Sequence, residues 1–145
     1  MEETFISTSY EETREIALKF AAKLEKGTTI CLYGDLAAGK TTFTQGLGKF
    51  FGIERIVSPT FIIMRQYPVT NHPVIKTFYH LDLYRLNSVE DIRAFDIDEI
   101  WSDSENLIII EWPEKFQDIL PRKRFDIYFE AHGEDEREIK IIERT

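Results

Sequence analysis

The chain has 145 residues and a mass of 17.1 kDa, enough for one domain spanning 1–145 with a core that needs no disulfide or metal staple. Its single cysteine, Cys31, excludes an internal disulfide framework and a zinc-finger cluster and fits a reducing cytoplasm. Eighteen basic against 26 acidic residues give a net charge of −8, which argues against a broad basic face gripping nucleic acid but not against a local anion site built from backbone amides.

No repeat or low-complexity tract breaks the sequence. The start, Met1-Glu2-Glu3-Thr4, is acidic where an export signal would be basic, and the longest aliphatic run, Leu107 to Ile110, is too short to span a bilayer; neither export nor a membrane association is expected. Ser9-Tyr10-Glu11-Glu12 has the form of a capping box, with Ser9 as the N-cap and Glu12 reaching back. Behind it Thr13, Ile16, Ala17, Phe20, Ala21 and Leu24 recur at helical spacing, and Gly27 is the expected stop. Thr28 to Tyr33 has the unbroken apolar, β-rich character of a strand buried on both faces. A glycine-bearing turn follows, then a helical pattern from Gly39 to Phe51 that ends at Gly52. Strand-like stretches surround Ser58-Pro59 within Ile53 to Tyr67, Pro68 to Pro73 forms a turn, and Val74 to Tyr84 is a further strand. Ser88-Val89-Glu90-Asp91 opens a short acidic helix with Ile92, Phe95 and Ile100 as its apolar contacts, while Asp96, Asp98 and Glu99 lie on its solvated face. Leu107 to Ile110 is the most buried strand. Arg124 to Glu130 and Glu136 to Glu143 flank His132-Gly133-Glu134-Asp135 as an antiparallel terminal hairpin.

The sharpest feature is Gly34-Asp35-Leu36-Ala37-Ala38-Gly39-Lys40-Thr41, a match to the Walker A pattern between a buried strand and a helix start. Gly34 and Gly39 let the main chain wrap closely around phosphate oxygens, and the following helix turns its positive end to the anion. Lys40 supplies charge to the β- and γ-phosphates, and the Thr41 hydroxyl is a ligand for Mg²⁺. At average composition the pattern arises by chance about once in a few hundred chains of this length.

Two acids stand where buried strands end. Asp82 lies in Phe78-Tyr79-His80-Leu81-Asp82-Leu83-Tyr84-Arg85, and Glu111 follows the aliphatic run in the manner of a Walker B acid. Both can reach a metal, directly or through water. Thr60, in Ser58-Pro59-Thr60-Phe61, is the candidate switch threonine. His80 reads better as a structural hydrogen-bonder than as a general base, and Trp112 as a core or rim aromatic. No Asn-Lys-x-Asp guanine-reading motif occurs, which favours ATP; the first helix and Tyr10 to Thr13 are the candidate base pocket. The fold expected is α/β: a P-loop NTPase whose mostly parallel central sheet is flanked by helices and carries antiparallel additions, the C-terminal hairpin among them.

These motifs together resemble one family. Ser9-x-Glu11-Glu12-Thr13, Gly34-Asp35-Leu36-x-Ala38-Gly39-Lys40-Thr41-Thr42, Ser58-Pro59-Thr60-Phe61, His80-x-Asp82-x-Tyr84-Arg85-Leu86 and Glu111-Trp112-Pro113-Glu114 look like the TsaE (YjeE) family of small bacterial ATPases of tRNA threonylcarbamoyladenosine synthesis. The resemblance implies that the loop from Gly34 through Thr42 binds ATP, with Lys40 and Thr41 on ATP-Mg²⁺, and that Thr13 lies near the base. It further implies that Thr60 is a switch residue and that Asp82 and Glu111 serve the metal and hydrolysis. Ala37 departs from the glycine usual in the family, at a position the Walker pattern leaves free. TsaD and TsaB are the implied partners, with tRNA reached only through them and the ATPase resetting their complex. A small P-loop kinase and a non-catalytic ATP-sensing module are the alternatives.

Overall fold

The computed structural model describes residues 1–35, 38–57 and 63–145. Leu36, Ala37 and the segment 58–62 that carries Thr60 lie outside the described residues, as does the expectation placed on each.

The elements run β1 (Glu2–Ser7), α1 (Tyr10–Ala22), β2 (Thr29–Tyr33), α2 (Lys40–Phe50), β3 (Met64–Pro68), β4 (Thr77–Asp82), α3 (Val89–Arg93), α4 (Ile97–Ser102), β5 (Asn106–Glu111), a 3₁₀ segment (Pro113–Ile119), β6 (Arg124–His132) and β7 (Glu136–Arg144). One seven-stranded sheet forms in the order β1-β7-β6-β2-β5-β4-β3. Its centre, β6-β2-β5-β4, is parallel, and β1, β7 and β3 are added through antiparallel pairings.

The sheet separates two apolar layers, which is why β2 and β5 carry no polar alternation: every residue of both strands is buried. Ile30 and Leu32 of β2 face Ala17 and Phe20 of α1 and Phe43 and Leu47 of α2. Cys31 and Tyr33 face the other way, toward Ile92 of α3, Ile97 of α4 and Phe116 of the 3₁₀ segment. Among the described residues, no helix is long and apolar enough to cross a membrane.

Ser9 caps α1 as its sequence requires, its Oγ accepting the Glu12 N–H at 3.0 Å. The Glu12 carboxylate, however, reaches one residue past the cap, accepting the Thr8 hydroxyl at 2.5 Å and the Thr8 N–H at 2.6 Å. Those two bonds hold its carboxyl below the ordinary value.

Several elements differ from the pattern reading. Helix α1 ends at Ala22, not at Gly27. Gly27 instead marks a close approach, where a Cβ would stand 2.0 Å from the Asn106 carbonyl oxygen. Strand β4 starts at Thr77 because the N–H groups of Val74 and Ile75 donate to His72 Nδ1 at 3.0 and 2.9 Å, folding residues 72–75 into a turn. The acidic helix is two short helices, broken where Asp96 takes a left-handed φ of 56°. Strand β1 was not anticipated. The terminal hairpin is present as expected, but β6 is also a central strand, paired in parallel with β2 from Ile30↔Phe125 to Tyr33↔Tyr128. Asp126, 1% exposed, ties this strand down by accepting Arg124 Nε and Arg144 Nε, each at 2.9 Å.

Candidate functional site

The carboxyl ends of β2, β5 and β4 meet at one edge of the sheet, and the chain leaving β2 turns there into α2. Gly34 opens that turn with φ 142°, and a Cβ on it would stand 2.6 Å from the Phe129 carbonyl oxygen of β6. Only glycine satisfies both conditions. Gly39, at φ 108°, is the N-cap of α2 and contributes no side-chain bond, so the first-turn amides of that helix remain available to an anion. Ala38 is buried, Asp35 and Thr41 are exposed, and Thr42 is half-buried.

Lys40, the first residue of α2, is 5% exposed. Its Nζ lies 4.3 Å from the centre of the Trp112 ring, a cation–π contact, and makes no ion pair with a carboxylate among the described residues. Trp112 holds this place from a left-handed turn (φ 59°) immediately after Glu111, with the Tyr84 ring 5.2 Å away. Trp112 is half-buried, in keeping with a core or rim aromatic, and its indole is also the resting surface of the loop lysine.

Glu111 ends β5 and is 9% exposed. Its Oε2 lies 2.7 Å from His80 Nε2, bearing out His80 as a hydrogen-bonder. Parallel register sets Asp82 opposite Glu111. One Asp82 oxygen, Oδ1, accepts the Tyr84 N–H at 3.0 Å. Glu111 lines a cleft beside the start of α2 whereas Asp82 does not, so the two acids are neighbours with unequal access.

That cleft measures about 480 Å³. One end is Gly39, Lys40, Thr41 and Thr42 with Glu111; one wall is the β1–α1 junction, including Tyr10, Glu11 and Thr13. Thr13 is thereby placed at the cleft, its hydroxyl 2.7 Å from Ser7 Oγ. The lining also takes in the β6–β7 turn, with Glu134, Asp135 and Arg137. Pattern reading missed these three. The hairpin was legible, but its position depends on β6 pairing with β2 and on β7 pairing with β1, where Arg137 stands opposite Ser7. Arg137 Nη1 donates to the carbonyls of Gly133, Glu134 and Glu136 at 3.4, 3.2 and 3.0 Å, which fixes its guanidinium at the turn.

Comparisons with known proteins place the chain in a family. Residues 7–139 match the family model for the threonylcarbamoyl adenosine biosynthesis protein TsaE. The tRNA threonylcarbamoyladenosine biosynthesis protein TsaE of Bacillus subtilis is 40% identical over 130 residues, covering 89% of this chain and 78% of its own. Its namesakes from Rickettsia bellii (37% over 134 residues, 91% and 89% covered) and Haemophilus influenzae (35% over 132 residues, 90% and 78% covered) are similarly close. Among solved structures, Bacillus subtilis YdiB superposes with a TM-score of 0.80 at 32% identity, across 100% of this chain and 87% of that one. With the P-loop NTPase architecture and the family match extending across nearly its whole length, the chain belongs to the TsaE family.

Proposed function

We propose that this chain is a Mg²⁺-dependent ATPase of the cytoplasm, slow when alone, that supports threonylcarbamoyladenosine modification of tRNA by resetting a TsaB–TsaD complex between cycles. The printed names of its relatives support the pathway. The observation that carries the activity is Lys40, a nearly buried cation without a carboxylate partner among the described residues, at the head of α2 in the cleft that Glu111 also lines.

The residues present fit ATP and Mg²⁺. A Cβ at position 34 would fill space the loop needs for its tight course, and α2 starts without a side-chain cap. Lys40 and the first-turn amides suit the phosphates, and Thr41 and Glu111 suit the metal, with Asp82 beside them. Bound there, Mg²⁺ would withdraw charge from the phosphate oxygens. Glu111 supplies a fixed carboxylate to orient the metal shell or a water. The switch role is assigned to Thr60 on its sequence motif alone, since 58–62 lie outside the described residues.

Charge decides which way the nucleotide lies. The α2 part of the lining offers Lys40 and a positive helix terminus, whereas the part from the β1–α1 junction and the β6–β7 turn carries Glu11, Glu134 and Asp135 against Arg137. A polyphosphate belongs at the first and an uncharged base and ribose at the second. The carboxylates there suit ribose hydroxyls, and the planar Arg137 suits the face of a base.

Slow turnover also has a source in the cleft. Lys40 and Arg137 are its cations among the described lining residues, and Arg137 is tied to its own turn. A partner that closes the cleft and adds positive charge would accelerate the reaction. The test is phosphate release from ATP by the purified chain, alone and with TsaB and TsaD. Stimulation by the pair, abolished by Lys40→Ala, is expected; rapid turnover indifferent to both partners refutes the switch role. Phosphoryl transfer to an acceptor other than water would indicate a kinase instead.

A further inference from the structure

Parallel strands β4 and β5 bring a buried histidine against the site. Phe78, His80 and Asp82 alternate onto one face of β4, and their register partners Leu107, Ile109 and Glu111 lie on the same face of β5. This is the face covered by α1 and α2, since Phe78, Leu107 and Ile109 belong to that core. His80 therefore stands one step inside Asp82, where the layer changes from apolar to polar. It is 2% exposed. Nε2 is bonded to Glu111 Oε2, and Nδ1 is buried without a partner among the described residues. Burying an imidazole costs free energy that a hydrogen bond offsets, and among the described residues the bond to Glu111 is the one this ring makes.

That bond divides the Glu111 carboxylate. Oε2 accepts from His80, while Oε1 is bonded to none of the described residues, and the side chain lines the cleft. We infer that His80 is a positioning residue: by occupying Oε2 from inside the core, it fixes the rotamer of Glu111 and leaves Oε1 as a single ligand for a divalent cation. This rests on the reading of Glu111 as a metal residue. It adds that the acid binds through one predetermined oxygen, oriented by a ring that never touches the nucleotide. Outer hydrogen bonds of this kind typically account for about ten- to a hundredfold in metal affinity.

The experiment measures Mn²⁺ affinity, by electron paramagnetic resonance, of protein loaded with a non-hydrolysable ATP analogue, alongside analogue affinity in EDTA. Variants His80→Phe and His80→Asn remove the donor, one by replacing the ring and one by being too short to reach. His80→Gln returns an amide donor at nearly the original distance. Expected are a Mn²⁺ dissociation constant raised about tenfold or more in Phe and Asn, recovery of most of that loss in Gln, and unchanged analogue affinity in EDTA throughout. If Phe does not fold, Asn carries the test. Wild-type Mn²⁺ affinity in a folded Phe or Asn variant overturns the inference, as does an equal loss in Gln, which would make the ring's packing responsible. Wild-type protein that binds no analogue at all brings down the ATPase reading itself and this inference with it.

Discussion

Replacing Lys40 with methionine separates the cost of the site from its use. Met keeps the aliphatic stem in a position that is 5% exposed and removes the charge 4.3 Å from the Trp112 ring. Losing the cation–π contact costs about 0.5–2 kcal/mol. Relief from desolvating an ammonium offsets part of this. The net change without nucleotide should therefore be within about 1 kcal/mol, or about 2–4 °C in melting temperature for a chain of this length. Nucleotide at a hundred times its dissociation constant stabilises the wild type by about 2.7 kcal/mol, about 5–11 °C on the same scale. Calorimetric melting with and without a magnesium–ATP analogue should show that shift in the wild type and none in Lys40→Met. A variant that keeps the full shift would refute the assignment of Lys40 to the phosphates. One that melts far below the wild type without nucleotide would make the lysine a structural residue.

Gly34→Ala should cost about 2–3 kcal/mol, because the left-handed backbone is strained for alanine and the obstructing atom is a main-chain carbonyl at 2.6 Å that cannot swing aside. Urea unfolding should show a lower midpoint with an unchanged slope. Arg137→Ala should weaken ATP binding about three- to thirtyfold while leaving inorganic tripolyphosphate untouched; equal losses for both ligands would move Arg137 to the phosphate end. Alkaline stability follows from β2. Burial, with Asp126 adding to it, pushes the Cys31 thiol well up; burial, with Cys31 and Asp126 adding, does the same to the Tyr33 phenol. Below the unfolded thiol value of about 8.5 neither group affects stability. Above it the unfolded chain loses a proton that the folded chain retains, so stability falls with rising pH by about 1.4 kcal/mol per unit, and more steeply past about 10. Urea midpoints from pH 8 to 10.5 test this, and Cys31→Ala should remove the first part of the decline.

The parts of the fold that carry the phosphate chemistry were legible because they are local. A five-residue buried strand, a glycine-bounded turn and an amphipathic helix follow one another without interruption from Thr29 to Phe50. Ser9 and Ser88 announce their helices in the same way, each accepting an amide three residues ahead. What stayed hidden depends on distant pairing. Strand β1 is a short segment with an exposed outer face, and only its pairing with distant β7, from Glu2↔Ile142 to Ser7↔Arg137, makes it a strand. The C-terminal hairpin declared its turn but not its neighbours. With β6 against β2 and β7 against β1, that turn becomes one wall of the cleft. Loop-closure entropy and register, not propensity, decide such contacts.

Strand parity explains why Asp82 and Glu111 could be named as a pair before either was placed. Both sit on the last residue of a largely buried strand, and parallel strands in matched register bring their last residues side by side. Parity also sends both to the α1–α2 face, the face from which α2 presents Lys40. An insertion of one residue within Leu107–Ile110 would reverse that parity and turn the acid toward Leu81, Leu83 and Phe116 on the opposite face, where an unpaired carboxylate has no partner. Thus the aliphatic run preceding Glu111 sets an alternating count from the core, and that count delivers one carboxylate to His80 and to the cleft.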